Sequence, residues 1–484
     1  MNCLTNSDSS KRASWSGQLA FVLAAAASAI GLGNLWRFPY LAAQYGGGTF
    51  IVVYLLLVIT LGFTLMLSEI AIGRKTRQSQ LTAYAELRRG WGFIGILGMS
   101  VSVLIIPYYC VIGGWVLKYF ATYCQMAFTG VELMGEGAAE SGAFFNSFIS
   151  ANFAPFGYGS LFVLVCAAVI VLGVKNGIEK SNLVLMPLLF ALAIAISVYV
   201  LCLPGTMEGL KYYLIPSMDA LSVGGVFSFA QLGKTILGAM GQMFYSLSLA
   251  MGIMITYGSY MRKTDSIEKC VRHIEIFDTL IAVIAGLMII PVVYMFAVKT
   301  GTPVKAAMNA GPGLMFITLP KVFATLGVAG LWIGLAFFAL VIFAALTSAI
   351  SLYEACVASV CDLLHLSRKP ATLFMGAVIL FLATFSALGY GAWADIKICG
   401  RQFLDVFDFV TNSVLMPIVA AATCIFIGWV LKPKAIEVEV ESAGNKFKAK
   451  SLYGFMVRYF APLFVMAILV SEICRYFEIG GWKI

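Results

Sequence analysis

Eleven long apolar runs, separated by short polar breaks, constrain this chain more than any other feature. They fall near 15–40, 48–73, 91–125, 158–174, 180–203, 231–260, 270–298, 329–363, 370–390, 402–432 and 453–478. A helix needs about 20 mostly apolar residues to cross hydrocarbon, and most of these runs supply them. The chain has 484 residues, 61% hydrophobic and 11% charged, with a mean hydropathy of +0.93. Soluble domains do not have that composition. The expectation is an all-α polytopic membrane protein of about eleven spanning helices, with the lipid bilayer as its surroundings. The run after Trp15 is too long for a signal-peptide core and reads as an uncleaved first helix behind a cytoplasmic segment, 1–14. The stretch 303–322 reads as a hairpin-like segment folded over one face.

Charge sets the orientation. With the N-terminus in the cytoplasm, 20 of the 32 Lys and Arg fall in inside loops or at their edges, from Lys11 and Arg12 through Arg272 to Lys450. The segment 127–156 on the other side carries Glu132, Glu136 and Glu140 and no Lys or Arg. This is the positive-inside pattern, and the net charge of +9 needs no nucleic acid to explain it. The eleven cysteines are scattered without a CxxC, and His273 and His365 lie in predicted loops, so the thiols read as free and mostly buried. Residues 433–452 read as a solvated connector.

Two helices contain material that ought not to be there. Helix 1 carries Ala29-Ile30-Gly31-Leu32-Gly33-Asn34, and helix 6 carries Tyr245-Ser246-Leu247-Ser248-Leu249-Ala250-Met251-Gly252. Interruptions five helices apart predict two inverted halves, helices 1–5 (15–203) and 6–10 (231–432), with a binding site between them at the midplane and helix 11 (453–478) added. Unwound ends expose N–H groups that favour an anion and C=O groups that favour a cation. Free carbonyls with Asn34, Ser246, Thr347 and Ser348 form a set of hard neutral oxygens, which suits an alkali cation rather than a transition metal.

The stretches "AIGLGNLWRFPYLAAQYGGGTF" with Glu69, "GQMFYSLSLAMG" and "LTSAIS" closely resemble the neurotransmitter:sodium symporters, specifically their bacterial amino-acid transporters. The resemblance runs from Trp15 to about residue 430. It implies a LeuT-like 5+5 inverted repeat in the bacterial inner membrane, two sodium ions and no organic cofactor. The first ion would take the Ala29 carbonyl, Asn34, Ser246 and Asp278. The second would take the carbonyls of Ala27, Ile30 and Ala344 with the hydroxyls of Thr347 and Ser348; a back-bond to the preceding turn is the ordinary alternative for those hydroxyls. Asp278 stands where the family usually has asparagine. It reads either as an interfacial carboxylate snorkelling to water or as a built-in replacement for chloride, since Tyr54, Gln242 and Ser246 match the chloride positions.

The resemblance places an amino-acid substrate against Ser28, Ala29, Leu32, Gly33, Ile105, Tyr109, Tyr245, Ser246, Ser248, Met251, Ser348 and Leu352. Its carboxylate would meet the amides of Leu32 and Gly33 and the Tyr109 hydroxyl. Gly31 leaves room for that carboxylate where monoamine-transporting relatives carry aspartate. The uncharged pocket favours Trp, Tyr, Phe, Leu or Met, bulky ones first; Met251 serves that pocket or is core filler. Arg37 with Asp408 matches the outer gate, and Arg12 with Asp362 the inner one, Arg12 reading equally as a positive-inside anchor. Glu69 would brace the break in helix 6, and Gly177 with Pro187 would mark a stretch of helix 5 that unwinds. No nucleophile–base or metal constellation supports an enzyme. A substrate-gated channel or non-transporting sensor on the same fold stays open beside the symporter.

Overall fold

Hydrocarbon offers no hydrogen bonds to the backbone, so each apolar run closes its own as a helix. The computed structural model describes residues 12–134, 138–308 and 311–477. Lys11, Glu136, most of the N-terminal segment and residue 478 lie outside the described residues. Among those described, nine continuous helices are long and apolar enough to span: Gly48–Thr76 (helix 2), Gly92–Thr129 (3), Ala154–Val171 (4), Val174–Leu201 (5), Ile267–Thr300 (7), Val328–Leu364 (8), Arg368–Leu388 (9), Phe403–Leu431 (10) and Lys450–Cys474 (11).

Helices 1 and 6 are broken where the sequence predicted. Helix 1 runs as Gln18–Ala29 and Gly33–Gln44, bent by 54°. Helix 6 runs as Phe229–Ser246 and Ile253–Ser259, with residues 247–252 unwound between them. Helix 1 packs on helices 7 and 8, helix 3 on helix 8, and Ile253–Ser259 on helix 2. That last contact brings backbones together: a Cβ on Gly73 would lie 1.9 Å from the Ile255 carbonyl oxygen, and one on Gly258 2.5 Å from that of Ile70. Small residues permit such close approach between spanning helices.

The connectors hold more structure than the sequence suggested. Residues 127–156 contain a helix, Ala138–Ile149, and short helices cover Gln80–Leu87 and Met207–Leu214. The 303–322 region contains Val304–Ala307 and the start of an apolar helix, Leu314–Ala324. Arg272 and His273 both lie inside helix 7, so the loop expected at His273 is helical. The solvated-connector reading of 433–452 needs correcting. Lys434–Val440 is a helix whose buried Glu439 meets the fully buried Arg74 at 2.8 Å and Lys263 at 3.0 Å. A buried cation at the end of helix 2 requires a counter-charge, and the connector supplies it. Five of the ten described cysteines are buried; Cys202 and Cys399 are exposed.

Candidate substrate and ion site

The two breaks face helices 3 and 8 around a small central cavity. Helix 1 contributes Ser28, Ala29, Gly31, Leu32, Gly33 and Asn34 to its wall. Helix 3 contributes Ile105 and Tyr109; helix 6 contributes Tyr245, Ser248, Met251 and Ile253; helix 8 contributes Ser348 and Leu352. Of the substrate residues expected from sequence, only Ser246 does not line it. Ile253 was missed; as the first residue of the second half of helix 6, it could have been found by extending the break by one position. The lining carries no charged side chain. At one end the Leu32 N–H points at the Tyr109 hydroxyl, 3.4 Å away. Gly31 has no room for a side chain, since a Cβ would lie 2.7 Å from Ser348 Oγ and 3.0 Å from Tyr109 Oη.

Beside the cavity lies a buried polar cluster. Asp278 is fully buried, which removes the interfacial alternative. Its Oδ1 accepts from Asn34 Nδ2 at 2.7 Å and from Ser246 Oγ at 2.9 Å, and its Oδ2 accepts from Tyr54 Oη at 3.2 Å. Ser246 therefore turns toward the carboxylate and away from the cavity. Asn34 Oδ1 accepts the Gly31 N–H at 3.0 Å, and Gln242 donates to the Gly33 carbonyl at 3.2 Å while its buried Oε1 has no partner. The Asp278 carboxylate beside unwound backbone is the kind of hard oxygen a small cation takes, while the Asn34 amide turns its NH2 to that carboxylate and its oxygen to the Gly31 N–H.

On the other flank Ser348 Oγ donates to the carbonyls of Ser28 (3.0 Å) and Ile30 (3.2 Å). Thr347 takes the ordinary alternative, back-bonding to the Phe343 and Ala344 carbonyls at 3.0 Å each. Ser348 thus ties helix 8 to the Ile30 carbonyl of helix 1, whereas Thr347 and Ala344 pair within helix 8; Ala27 is buried in helix 1. Glu69 Oε1 accepts the Ala250 N–H at 2.7 Å, as a brace for unwound backbone should. The Gly177–Pro187 stretch stays helical, opening on a π-turn, Val174–Glu179.

The two charged pairs differ. Arg12 holds Asp362 at 2.8 Å, donates to Ser259 Oγ at 2.8 Å and sits 5.2 Å from the Tyr260 ring centroid. Trp15 caps this closed end through the Tyr257 carbonyl, 3.1 Å away. At the opposite end Arg37 and Asp408 make no direct ion pair. Arg37 reaches the Gly241 carbonyl at 3.4 Å and stacks over Tyr245, while Asp408 accepts from Asn412 (2.6 Å) and Tyr108 (3.2 Å). Both residues line a wide vestibule that Tyr245 separates from the central cavity. Asn412 and Tyr108 were not foreseen; Asn412 stands four residues after Asp408, one turn along the same helical face.

The family model described as the sodium:neurotransmitter symporter family matches residues 12–131 and 159–482. An uncharacterized sodium-dependent transporter of Bacillus subtilis, YhdH, is 33% identical over 466 residues, covering 96% of this chain and 98% of its own. One from Haemophilus influenzae is 30% identical over 473 residues, with 96% and 98% covered. The crystal structure of MhsT in complex with L-phenylalanine superposes with a TM-score of 0.82 at 35% identity, covering 96% of this chain and all of that one. The chain belongs to the sodium:neurotransmitter symporter family, as a polytopic, sodium-dependent transporter with the LeuT fold and not as an enzyme.

Proposed function

We propose that the chain is a symporter that imports a hydrophobic L-amino acid, bulky or aromatic by preference, with two sodium ions and without chloride. The observation that carries the reading is the uncharged central cavity, closed at one end by the Leu32 N–H and the Tyr109 hydroxyl. That end suits a carboxylate, and the apolar remainder suits an apolar side chain. Gly31 supports a substrate that brings its own carboxylate, because no acidic side chain could fit there. MhsT, which shares the fold, was solved with L-phenylalanine. Met251, flexible and polarizable, gives an aromatic ring a sulfur contact.

Asp278 acts as the fixed anion beside the first sodium ion, with Ala29, Asn34 and Ser246. The second ion sits among Ala27, Ile30, Ala344, Thr347 and Ser348. The face carrying Arg12 is cytoplasmic in a bacterial inner membrane. The shut Arg12–Asp362 pair with the open vestibule across from it is then the outward-facing arm of an alternating-access cycle. Helices 1–5 and 6–10 form its inverted halves. Each sodium charge driven inward contributes about 2.3 kcal/mol per 100 mV.

Uptake of labelled tryptophan and leucine into proteoliposomes tests this, comparing a sodium gradient with potassium, with and without chloride. Sodium-driven accumulation that ignores chloride supports the whole reading. Flux without accumulation against a gradient would mean a channel. Sodium-dependent binding without flux would mean a sensor.

A further inference from the structure

The floor of the cavity is formed by backbone that L-residues adopt reluctantly. Within the unwound segment of helix 6, Ser248 and Ala250 have φ of 52° and 60°, followed by Gly252 at 75°. Non-glycine residues persist in this region only where their surroundings over-determine the conformation. Ser248 Oγ donates to the Ser28 carbonyl at 3.1 Å, and Glu69 takes the Ala250 N–H. The Met251 carbonyl accepts a hydrogen bond from Ser102 Oγ. Ser102 is fully buried in helix 3 and does not line the cavity. Below the segment, a Cβ on Gly252 would come within 2.7 Å of Gln80 Cβ, so the chain cannot sink away on that side.

Ser102, Ile105 and Tyr109 stand at i, i+3 and i+7, on one face of helix 3. Ile105 and Tyr109 form the wall of the cavity, and Met251 lies in its floor. The same face that presents wall and hydroxyl therefore also clamps the main chain from which the Met251 side chain departs. A serine hydroxyl in a spanning helix ordinarily bonds back to its own preceding turn. Here it crosses to the unwound segment of helix 6, at the carbonyl of a residue that lines the cavity.

We infer that Ser102 is a specificity-determining positioning residue: by holding the Met251 peptide it sets how large a substrate side chain the cavity admits. This rests on the amino-acid reading above. Without the hydroxyl, the buried Met251 carbonyl must turn toward another donor, and the root of the Met251 side chain moves with it. The carboxylate end at Leu32 and Tyr109 and the cluster around Asp278 keep their own partners. The change therefore falls on side-chain selectivity and leaves sodium dependence alone.

The test is competition binding on the purified full-length protein in saturating sodium, reading the affinity ratio of tryptophan to leucine. Ser102→Ala shifts this ratio roughly tenfold, the scale expected when pocket contacts change by one or two methylenes. Ser102→Thr, which keeps the hydroxyl, restores it. In a Met251→Ala background the shift disappears, because the residue through which Ser102 acts has been removed. Ser102→Cys, similar in size with a weak donor, reads the same ratio if the alanine variant does not fold. An unchanged ratio, or an equal shift with and without Met251, overturns the inference while leaving the amino-acid reading intact. A wild-type protein that binds neither amino acid overturns that reading, and this inference with it.

Discussion

Replacing Asp278 with asparagine isolates the charge at the polar cluster. The shape is conserved, but Asn34 Nδ2, Ser246 Oγ and Tyr54 Oη all donate to the two carboxylate oxygens, at 2.7 to 3.2 Å. An amide can accept through only one of its two heads. A cation about 4 Å from a carboxylate gains about 4 kcal/mol at an effective dielectric of about 20. Loss of that gain weakens sodium binding by a factor on the order of 10² to 10³, since about 1.4 kcal/mol is tenfold. The assay is sodium titration of labelled amino-acid binding, in chloride and in gluconate. The wild type should give one curve in both salts. Asp278→Asn should be weakened in gluconate and partly rescued by chloride, to which the Tyr54 and Ser246 hydroxyls, released from the carboxylate, can donate. A variant that titrates like the wild type in gluconate, or a wild type that itself needs chloride, would refute the reasoning.

Gly31→Ala should abolish sodium-dependent amino-acid binding and the melting shift that ligand produces, because its Cβ meets the Ser348 and Tyr109 hydroxyls at the cavity. Thermal unfolding with and without ligand checks it. Gly73→Ala should destabilise the fold by about 1–3 kcal/mol or more, as overpacking against the Ile255 carbonyl forces the second half of helix 6 off helix 2. Thermal inactivation in detergent reads it directly. Arg12→Ala removes a charge-assisted pair worth about 1.5–3 kcal/mol and so favours opening of that face by roughly ten- to hundredfold. Faster hydrogen exchange around Trp15 and Tyr257–Tyr260 would register this, and unchanged exchange would argue that Trp15 alone holds that end shut.

Much of the site was legible in the sequence because hydrocarbon makes polar residues conspicuous. Asn34, Arg37, Asp278 and Glu69 stand in apolar runs where an unpaired polar group is costly, so each announces a partner. The breaks were legible for the same reason: Gly31, Gly33 and Gly252 punctuate runs that otherwise have every reason to stay helical. What stayed hidden depends on pairings between distant segments. Glu439 looked solvated among the lysines around it, yet it answers Arg74, 365 residues away. Ser102 looked like an ordinary helical serine, because its true partner exists only once helix 6 unwinds. The separation of Arg37 from Asp408 depends on how helices 1 and 10 are set apart in space, which spacing along the chain does not encode.

The unwound part of helix 1 ties these features together. Asn34 accepts the Gly31 N–H and donates to Asp278, and the intervening Leu32 N–H faces Tyr109 in the cavity. Ser348 touches the Ser28 carbonyl, which borders the cavity, and the Ile30 carbonyl two residues on. Four consecutive residues, Gly31 to Asn34, thus divide their contacts between the polar cluster at Asp278 and the Tyr109 end of the cavity. A rigid helix could not do this, because its N–H and C=O groups would be spent on one another. Unwinding releases those groups, so ordering the cation ligands orders the amides that face the cavity. Any free energy that one ligand contributes by fixing this strand must be returned by the other in equal measure. With the sodium sites proposed above, the broken helix is the element through which a sodium gradient would act on an uncharged pocket.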